Sequence, residues 1–570
     1  TAAILLISCN QDEIYDVTNE DLNQSLAKNT ARIAEGIIPF TVENVQKALP
    51  AVLQYYSENR PEVAKRFVNY KVDATHIYYK FTPQDSLQQA ALMGNEDNLQ
   101  LTTDPFEYMP VERTEDAKED EIPVFYALVE AGFRIPDVPH EAIAKLHFTD
   151  EDKLEDVESN YDEVEFKQNL MYETRKLAGH LDDEELKEGY MNYREGFEEN
   201  KTQKGNVTTK GLFGKKWRPS GNIRVEEDIV RSNNSSRNHF EPVKRARVNV
   251  LKWGWLQVEH GTTDNNGNFS TGTTYTKNVH YKVKFKHDYV TVKEGNFYNT
   301  ADYSSGSHKR APLNITFVNN AALSHYQFFA LIHNASYDYY SRCLSQYGLH
   351  NPGNLNITAL YNGSGSNSGA QWYPFNSAIR VSRSGGGVYR GSDGIYSTTV
   401  HELTHNGHRK MDPGMFSLFH LGNKERLLMC ESWADGVETI LTNDRYNAMF
   451  AANGYGNYRA TNRNNTNALT RGWNGGKQHQ TILQMNAYTP LVVDLIDNLN
   501  QNTVLGNHLP VDRVSGYTLS QIQAALKTSR TIGEWESRLK SMYNNSTETM
   551  LSDVFGYAQA VYANRNNWPQ

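Results

Sequence analysis

The chain has 570 residues, 38% of them hydrophobic and 11% aromatic, with 34 tyrosines and a formal net charge of −10. That length exceeds one ordinary core and predicts roughly three or four domains, while the hydrophobic and aromatic content excludes a disordered chain. The modest charge, with no long basic run interleaved with aromatics, argues against a nucleic-acid partner, and beyond the first few residues no apolar run approaches the ~20 residues that span a bilayer.

The first stretch, Ala2 to Cys9, is a short apolar run that stops at a small residue and a cysteine before Asn10-Gln-Asp-Glu. It resembles the tail of a bacterial lipoprotein signal, with residues 1–8 as the signal remnant, Leu6-Ile7-Ser8-Cys9 as the lipobox and Cys9 as the lipidated first mature residue. The resemblance implies an exported lipoprotein of the outer membrane, cell surface or periplasm that meets the membrane through its lipid anchor only. A buried strand followed by an ordinary cysteine is the alternative. With Cys9 so assigned, Cys343 and Cys430 remain, which excludes a disulfide framework or a cysteine zinc site. Whether those two pair or stay as buried thiols is left open.

Residues 9–215 read as a mainly helical region, because apolar residues recur at three and four in segments such as Val42 to Leu49 and Glu141 to Leu146. The acidic runs Glu115–Glu121 and Asp150–Asp156 lack the glycine-centred ligand spacing of a calcium loop and read as solvated faces. Between Asn200 and Asn222 the composition shifts to Lys, Gly, Thr and Asn, as in a linker.

Within 216–300, from Gly221 to about Glu294, the period changes to two, in Arg245 to Trp253 and Val279 to His287, with a strong turn signal at Asp264-Asn-Asn-Gly-Asn-Phe269. The segment resembles the small transthyretin-like sandwich found beside many carboxypeptidases, whose Thr-Thr-Asp-x-x-Gly-x-Phe turn matches Thr262 to Phe269 here. That resemblance implies a β-sandwich serving as a folding or adhesion accessory, or simply as a stable β module.

Residues 301–570 read as one α+β domain. A helix is expected over Ala321–Leu344, with His325 and His333 packed or exposed because no carboxylate helix partners them. Two strands follow, Leu355–Leu360 and Ser377–Arg383, and the glycine run from Gly385 lacks the Gly-Lys-Ser/Thr ending of a phosphate loop. Ser397 to Thr399 offer N-terminal caps for the next helix, and Gly407 loosens its exit.

That helix carries His401-Glu402-Leu-Thr-His405. Residues four apart on a helix share a face with Cβ atoms about 5–6 Å apart, so two imidazoles can grip one metal ion, with Glu402 on the flank as general base. A zinc hydrolase needs a third protein ligand and one open position for water. Glu431 is assigned to that role, and Asp435, four residues on, can accept the free ring N–H of a ligand histidine. His408 is read as a cap or as support for the ligands, Glu425 as solvated in a connection, and Glu438 as sharing the face of Glu431 and supporting the ligands from there.

His401-Glu-x-x-His405 followed by Glu431-Ser-Trp-Ala-Asp435 resembles the gluzincins, the thermolysin-like superfamily, whose second motif is Glu-x-x-x-Asp. The resemblance implies a zinc cofactor, a zincin-like metallopeptidase domain and peptide or protein substrates bound along an edge strand, here Ile379 to Arg383 with Ile379 and Val381. Two departures stand out: a longer gap from His405 to Glu431 than in thermolysin, and Cys430 where the family has asparagine. In this mechanism zinc lowers the pKa of its water toward about 7, Glu402 takes the proton, and a Tyr or His stabilises the developing oxyanion. Tyr446, Tyr455, Tyr458, His479 and Tyr488 are candidates, and Tyr488 is preferred because Pro490 starts a helix beside it.

The expected whole is a multidomain α+β protein: helical N-terminal region, small β-sandwich and C-terminal zincin-like metallopeptidase domain. The alternative from another class is a non-catalytic surface lipoprotein that binds glycan or protein, with a structural or vestigial zinc site. Oligomeric state and bond specificity are not readable.

Overall fold

A computed structural model describes residues 38–93, 99, 101, 122–150, 157–180, 216–295, 300–364, 379–385, 388–416, 423–456, 458, 487–504 and 511–567. Cys9 with its lipobox, the acidic run 115–121, most of the linker before Asn222 and His479 lie outside the described residues. The fold is mixed α+β with several sheets. No described helix is long and apolar enough to cross a membrane.

In residues 38–180, Thr41 caps helix α1 (Val42–Asn59), its hydroxyl accepting the Asn44 N–H at 3.2 Å. Val45, Ala48, Val52 and Tyr56 recur at three and four on the buried face, where they meet Phe166 and Leu170 of α2 (Val157–Leu177). Three antiparallel strands accompany the helices: β1 (His76–Phe81), β2 (Phe125–Glu130) and β3 (His140–Leu146), with β1 in the middle. The helical expectation for Glu141–Leu146 is therefore corrected. Its apolar spacing suits a short helix locally, but Ile77-Tyr-Tyr79 offers a strand edge, and cross-strand pairing overrides weak helix propensity.

From residue 216 the described residues build three sheets. Strands β4 (Ser220–Glu226), β5 (Phe240–Pro242), β6 (Arg247–Lys252), β7 (Leu256–Thr262), β8 (Asn268–Ser270) and β9 (Asn278–Lys284) fall in the segment that alternates with period two. At the turn before β8, the Asp264 carboxylate accepts the N–H groups of Asn266 and Asn268 at 2.8 and 2.9 Å. Gly267 has φ +78°, and a Cβ there would lie 2.3 Å from the Ile223 carbonyl oxygen, so the turn needs glycine. Trp253, at the tip of the β6–β7 hairpin, stacks on Phe40 at 4.5 Å and joins this body to residues 38–180.

Two parallel pairings cross residue 300. β10 (Val290–Glu294) pairs with β14 (Leu355–Ser364), and β13 (Leu313–Phe317) pairs with β4. The short strands β11 (Asp302–Ser304) and β12 (His308–Lys309) pair with β9. One apolar core accordingly runs from Ile223 to Val561 across both sides of that position.

The last sheet has the order β10-β14-β15-β16, with β15 at Ile379–Gly385 and β16 at Val388–Tyr389. Helix α3 (Ser324–Asp338), prolonged by a wider turn over Tyr339–Cys343, buries Phe328, Phe329, Leu331 and Ile332 in the same core. Two further helices carry the motifs: α4 (Ser392–Met411) and α5 (Lys424–Ala452). A short helix, α6 (Leu491–Asp494), packs on α5 so closely that a Cβ at Gly436 would meet Val492 at 2.3 Å. Cys343 and Cys430 are buried free thiols.

Candidate metal centre

Helix α4 begins at Ser392, five residues before the expected caps. The Ser397 and Thr398 hydroxyls bond back to the Gly394 carbonyl at 3.1 and 2.8 Å and lie inside the helix. Gly391, at the N-cap, has no side chain to cap with. A distant residue substitutes: the Asp228 carboxylate accepts the Ser392 N–H at 2.7 Å, and the Ser392 hydroxyl accepts the Ile229 N–H at 3.1 Å. Asp228 also accepts from Asn319 at 2.9 Å and faces the fully buried Arg383 guanidinium at 3.5 Å.

The exit of α4 is likewise held from afar. Arg530 grips Asp412 with two hydrogen bonds of 2.5 and 2.7 Å. Gly407 serves a close approach rather than a loosened exit: a Cβ there would sit 2.7 Å from the His350 carbonyl oxygen.

Helix α5 is capped by Asn423, whose side chain accepts the N–H groups of Glu425 and Arg426. Glu425 thus stands in the first turn of a helix and not in a connection, and its carboxylate accepts the Ile532 N–H at 2.9 Å. Seven residues in from the start of α5, Glu431 reaches the histidines of α4. His401 Nε2 lies 3.2 Å from Glu431 Oε2, His405 Nε2 lies 3.4 Å from the same oxygen, and the two Nε2 atoms are 3.0 Å apart.

This triangle can be compared with a tetrahedral site. Zinc ligands at about 2.0–2.1 Å from the ion stand about 3.3 Å from one another. The three donor atoms fit that spacing, and all three residues are buried. Two ring nitrogens 3.0 Å apart can either share one proton or, with both lone pairs turned inward, share one cation with Glu431.

Glu402 is fully buried, and neither carboxylate oxygen has a hydrogen-bond partner among the described residues. Burial pushes it up to about 7 against the pull of His401 and His405. Glu431 behaves oppositely. Burial opposes its ionisation, yet the imidazoles of His405 and His401 hold it well below the usual carboxylate range.

On the far side of His401, Nδ1 lies 3.3 Å from Glu438 Oε2, and Asp435 belongs to the same group of potential ligand atoms. Asp435, the expected acceptor of a ligand histidine's free ring N–H, and Glu438, expected to support the ligands from the face of Glu431, thus both stand beside His401. His408 belongs to neither cluster of potential ligands among the described residues. It is buried with its ring edge-on to Phe416 at 5.0 Å, and burial lowers it to about 3.

Of the oxyanion candidates, Tyr488 stands with its ring 6.4 Å from that of His401. Tyr446 instead donates to Glu227 at 2.9 Å, Tyr458 donates to Asp393 at 2.7 Å, and the Tyr455 hydroxyl contacts His239 at 3.1 Å. Strand β15 pairs with β14 on one side and meets β16 only at Ser384 and Gly385 on the other. The side chains of Ile379 and Val381 are buried in the core.

Among known proteins, no family model matches the chain and no curated protein matches it.

Proposed function

We propose that the chain is a zinc-dependent peptidase of gluzincin type that hydrolyses peptide bonds in peptides or proteins. One observation carries the reading: the buried triangle of His401 Nε2, His405 Nε2 and Glu431 Oε2, with the Glu402 carboxylate, unbonded among the described residues, next to it in sequence. Two imidazoles and one carboxylate are a donor set of catalytic zinc, which keeps a fourth position open. Zinc held there supplies Lewis acidity toward a carbonyl oxygen and lowers the pKa of water toward about 7.

The chain's own groups do the rest. Glu402 takes the proton of the attacking water and returns it to the leaving amine, a task suited to a carboxylate raised to about 7. Tyr488, whose ring stands 6.4 Å from that of His401, is the residue assigned to donate its hydroxyl proton to the oxygen that gains charge. The backbone of β15 orients the substrate. In this reading 301–570 is a zincin-like catalytic domain, 216–300 a transthyretin-like module, and Cys9 a lipid anchor for a surface or periplasmic enzyme.

Metal analysis of the purified chain is expected to give close to one zinc. Glu402→Gln is expected to keep the metal and lose about 100- to 10,000-fold in kcat on a peptide substrate. Undiminished hydrolysis by that variant, or by metal-free protein, sinks the reading. Unchanged zinc affinity in Glu431→Ala moves the third ligand elsewhere.

A further inference from the structure

His401 stands between two glutamates of one helix. Glu431 is 3.2 Å from its Nε2, and Glu438 is 3.3 Å from its Nδ1. The two glutamates are seven residues apart on α5, a rise of about 10 Å over two turns, so they share a face at the spacing of an imidazole with one contact on each side. Glu438 is buried, as is Asp435, three residues before it on the same face. His405 is built differently: its Nδ1 has no hydrogen-bond partner among the described residues.

A neutral imidazole carries one proton, and the group facing one nitrogen decides which nitrogen keeps a lone pair. A carboxylate at Nδ1 holds the proton there, turns Nε2 toward the cation and raises its basicity. We propose that Glu438 is a positioning residue that accepts the Nδ1–H of His401, fixing the tautomer and orientation of that ring. This rests on the metal-centre reading above. His401 is then the stiff ligand of the pair, with Asp435 in the same group of side chains beside it.

The test uses the full chain, with zinc affinity read by chelator competition and ligand geometry by the absorption spectrum of the cobalt(II)-substituted protein. Glu438→Ala is expected to weaken zinc binding by about 10- to 100-fold and to alter the cobalt spectrum. Glu438→Gln keeps an oxygen acceptor without the charge, and a smaller loss, roughly 3- to 10-fold, is expected. Should the alanine variant fail to fold, the near-isosteric glutamine variant decides alone. Wild-type zinc affinity together with a wild-type cobalt spectrum overturns the proposal. Two zinc ions per wild-type chain, one of them lost in Glu438→Ala, overturn it as well, by making Asp435, Glu438 and Nδ1 a second cation site. A wild-type chain that binds no zinc overturns both this assignment and the metal centre, whereas one that binds zinc and cleaves no peptide overturns the peptidase reading alone.

Discussion

Residues 38–180 and the body from residue 216 offer two differently exposed arginine pairs. In the first, Arg60 bonds Asp162 and Glu165, and Arg66 reaches Asp162 at 2.9 Å, with the two arginine side chains 23% and 46% exposed. In the body, the Arg383 and Asp228 side chains are 0% and 6% exposed, and Glu227 and Asp393 are sealed beside them. Half-exposed pairs gain about 0–1 kcal/mol, while a fully buried pair loses much of its Coulomb energy to desolvation. Stability alone therefore gives a poor account of the buried set. Its members share a location: Asp228 caps Ser392, and Asp393 lies in the first turn of α4 bonded to Tyr458. The body buries charge where it fixes the start of the helix that bears His401 and His405.

The sharpest way to break this contrast is Asp228→Ala. It strands the Arg383 charge in the interior and removes the acceptor for the Ser392 N–H and the Asn319 amide. A loss of about 3–5 kcal/mol is expected from truncating one partner of a buried pair. Urea unfolding followed by circular dichroism measures it, and a loss below about 1 kcal/mol, the range of a surface pair, would remove the distinction.

Asp393 extends the contrast to pH. Burial is the main cause that raises its carboxyl to about 7, opposed by the hydrogen bonds from Tyr458 and the Gly394 N–H and aided by Asp228 and Glu227. An unfolded aspartate titrates near 3.8. Below that value both states hold the proton. Between about 4 and 7 the unfolded chain releases it while the folded chain keeps it, so stability falls as pH rises, by up to about 1.4 kcal/mol per unit from this one group. Asp393→Asn is expected to flatten the dependence of the urea midpoint between pH 5 and 7. Parallel profiles for the two proteins would show that Asp393 is solvated in the folded state.

Much of the site's layout is legible in the chain because it is helical arithmetic. His401 and His405 share a face by their spacing of four, and Glu431, Asp435 and Glu438 share another at four and three. Which carboxylate meets which nitrogen is not legible, since it depends on how α4 and α5 cross. The cap of α4 is illegible for a stronger reason: Asp228 lies 164 residues before Ser392, and no local pattern joins them. The same holds for the sheets that cross residue 300, where β10 finds β14 and β4 finds β13 through long-range parallel pairing. Period-two alternation marks strands such as β6 and β9, yet it is silent about which strands become neighbours. β3 shows the converse failure, where a local spacing of three and four is taken over by pairing with β1.

The smallest effect belongs to Arg66→Ala in the N-terminal region. Arg66 is 46% exposed, and Asp162 keeps Arg60 as a partner when it is removed. Side-chain ordering and solvent screening offset most of the Coulomb gain of such a pair, so a loss of about 0–1 kcal/mol is expected, shrinking further as salt is raised. The guanidinium also sits 5.5 Å from the Phe67 ring, a contact worth about 0.5–1 kcal/mol at an exposed site, which keeps the loss above zero at high salt. Urea unfolding at low and high ionic strength separates the two contributions. A salt-independent loss of several kcal/mol would mean that Arg66 is sealed like Arg383, and the difference between the two pairs would disappear.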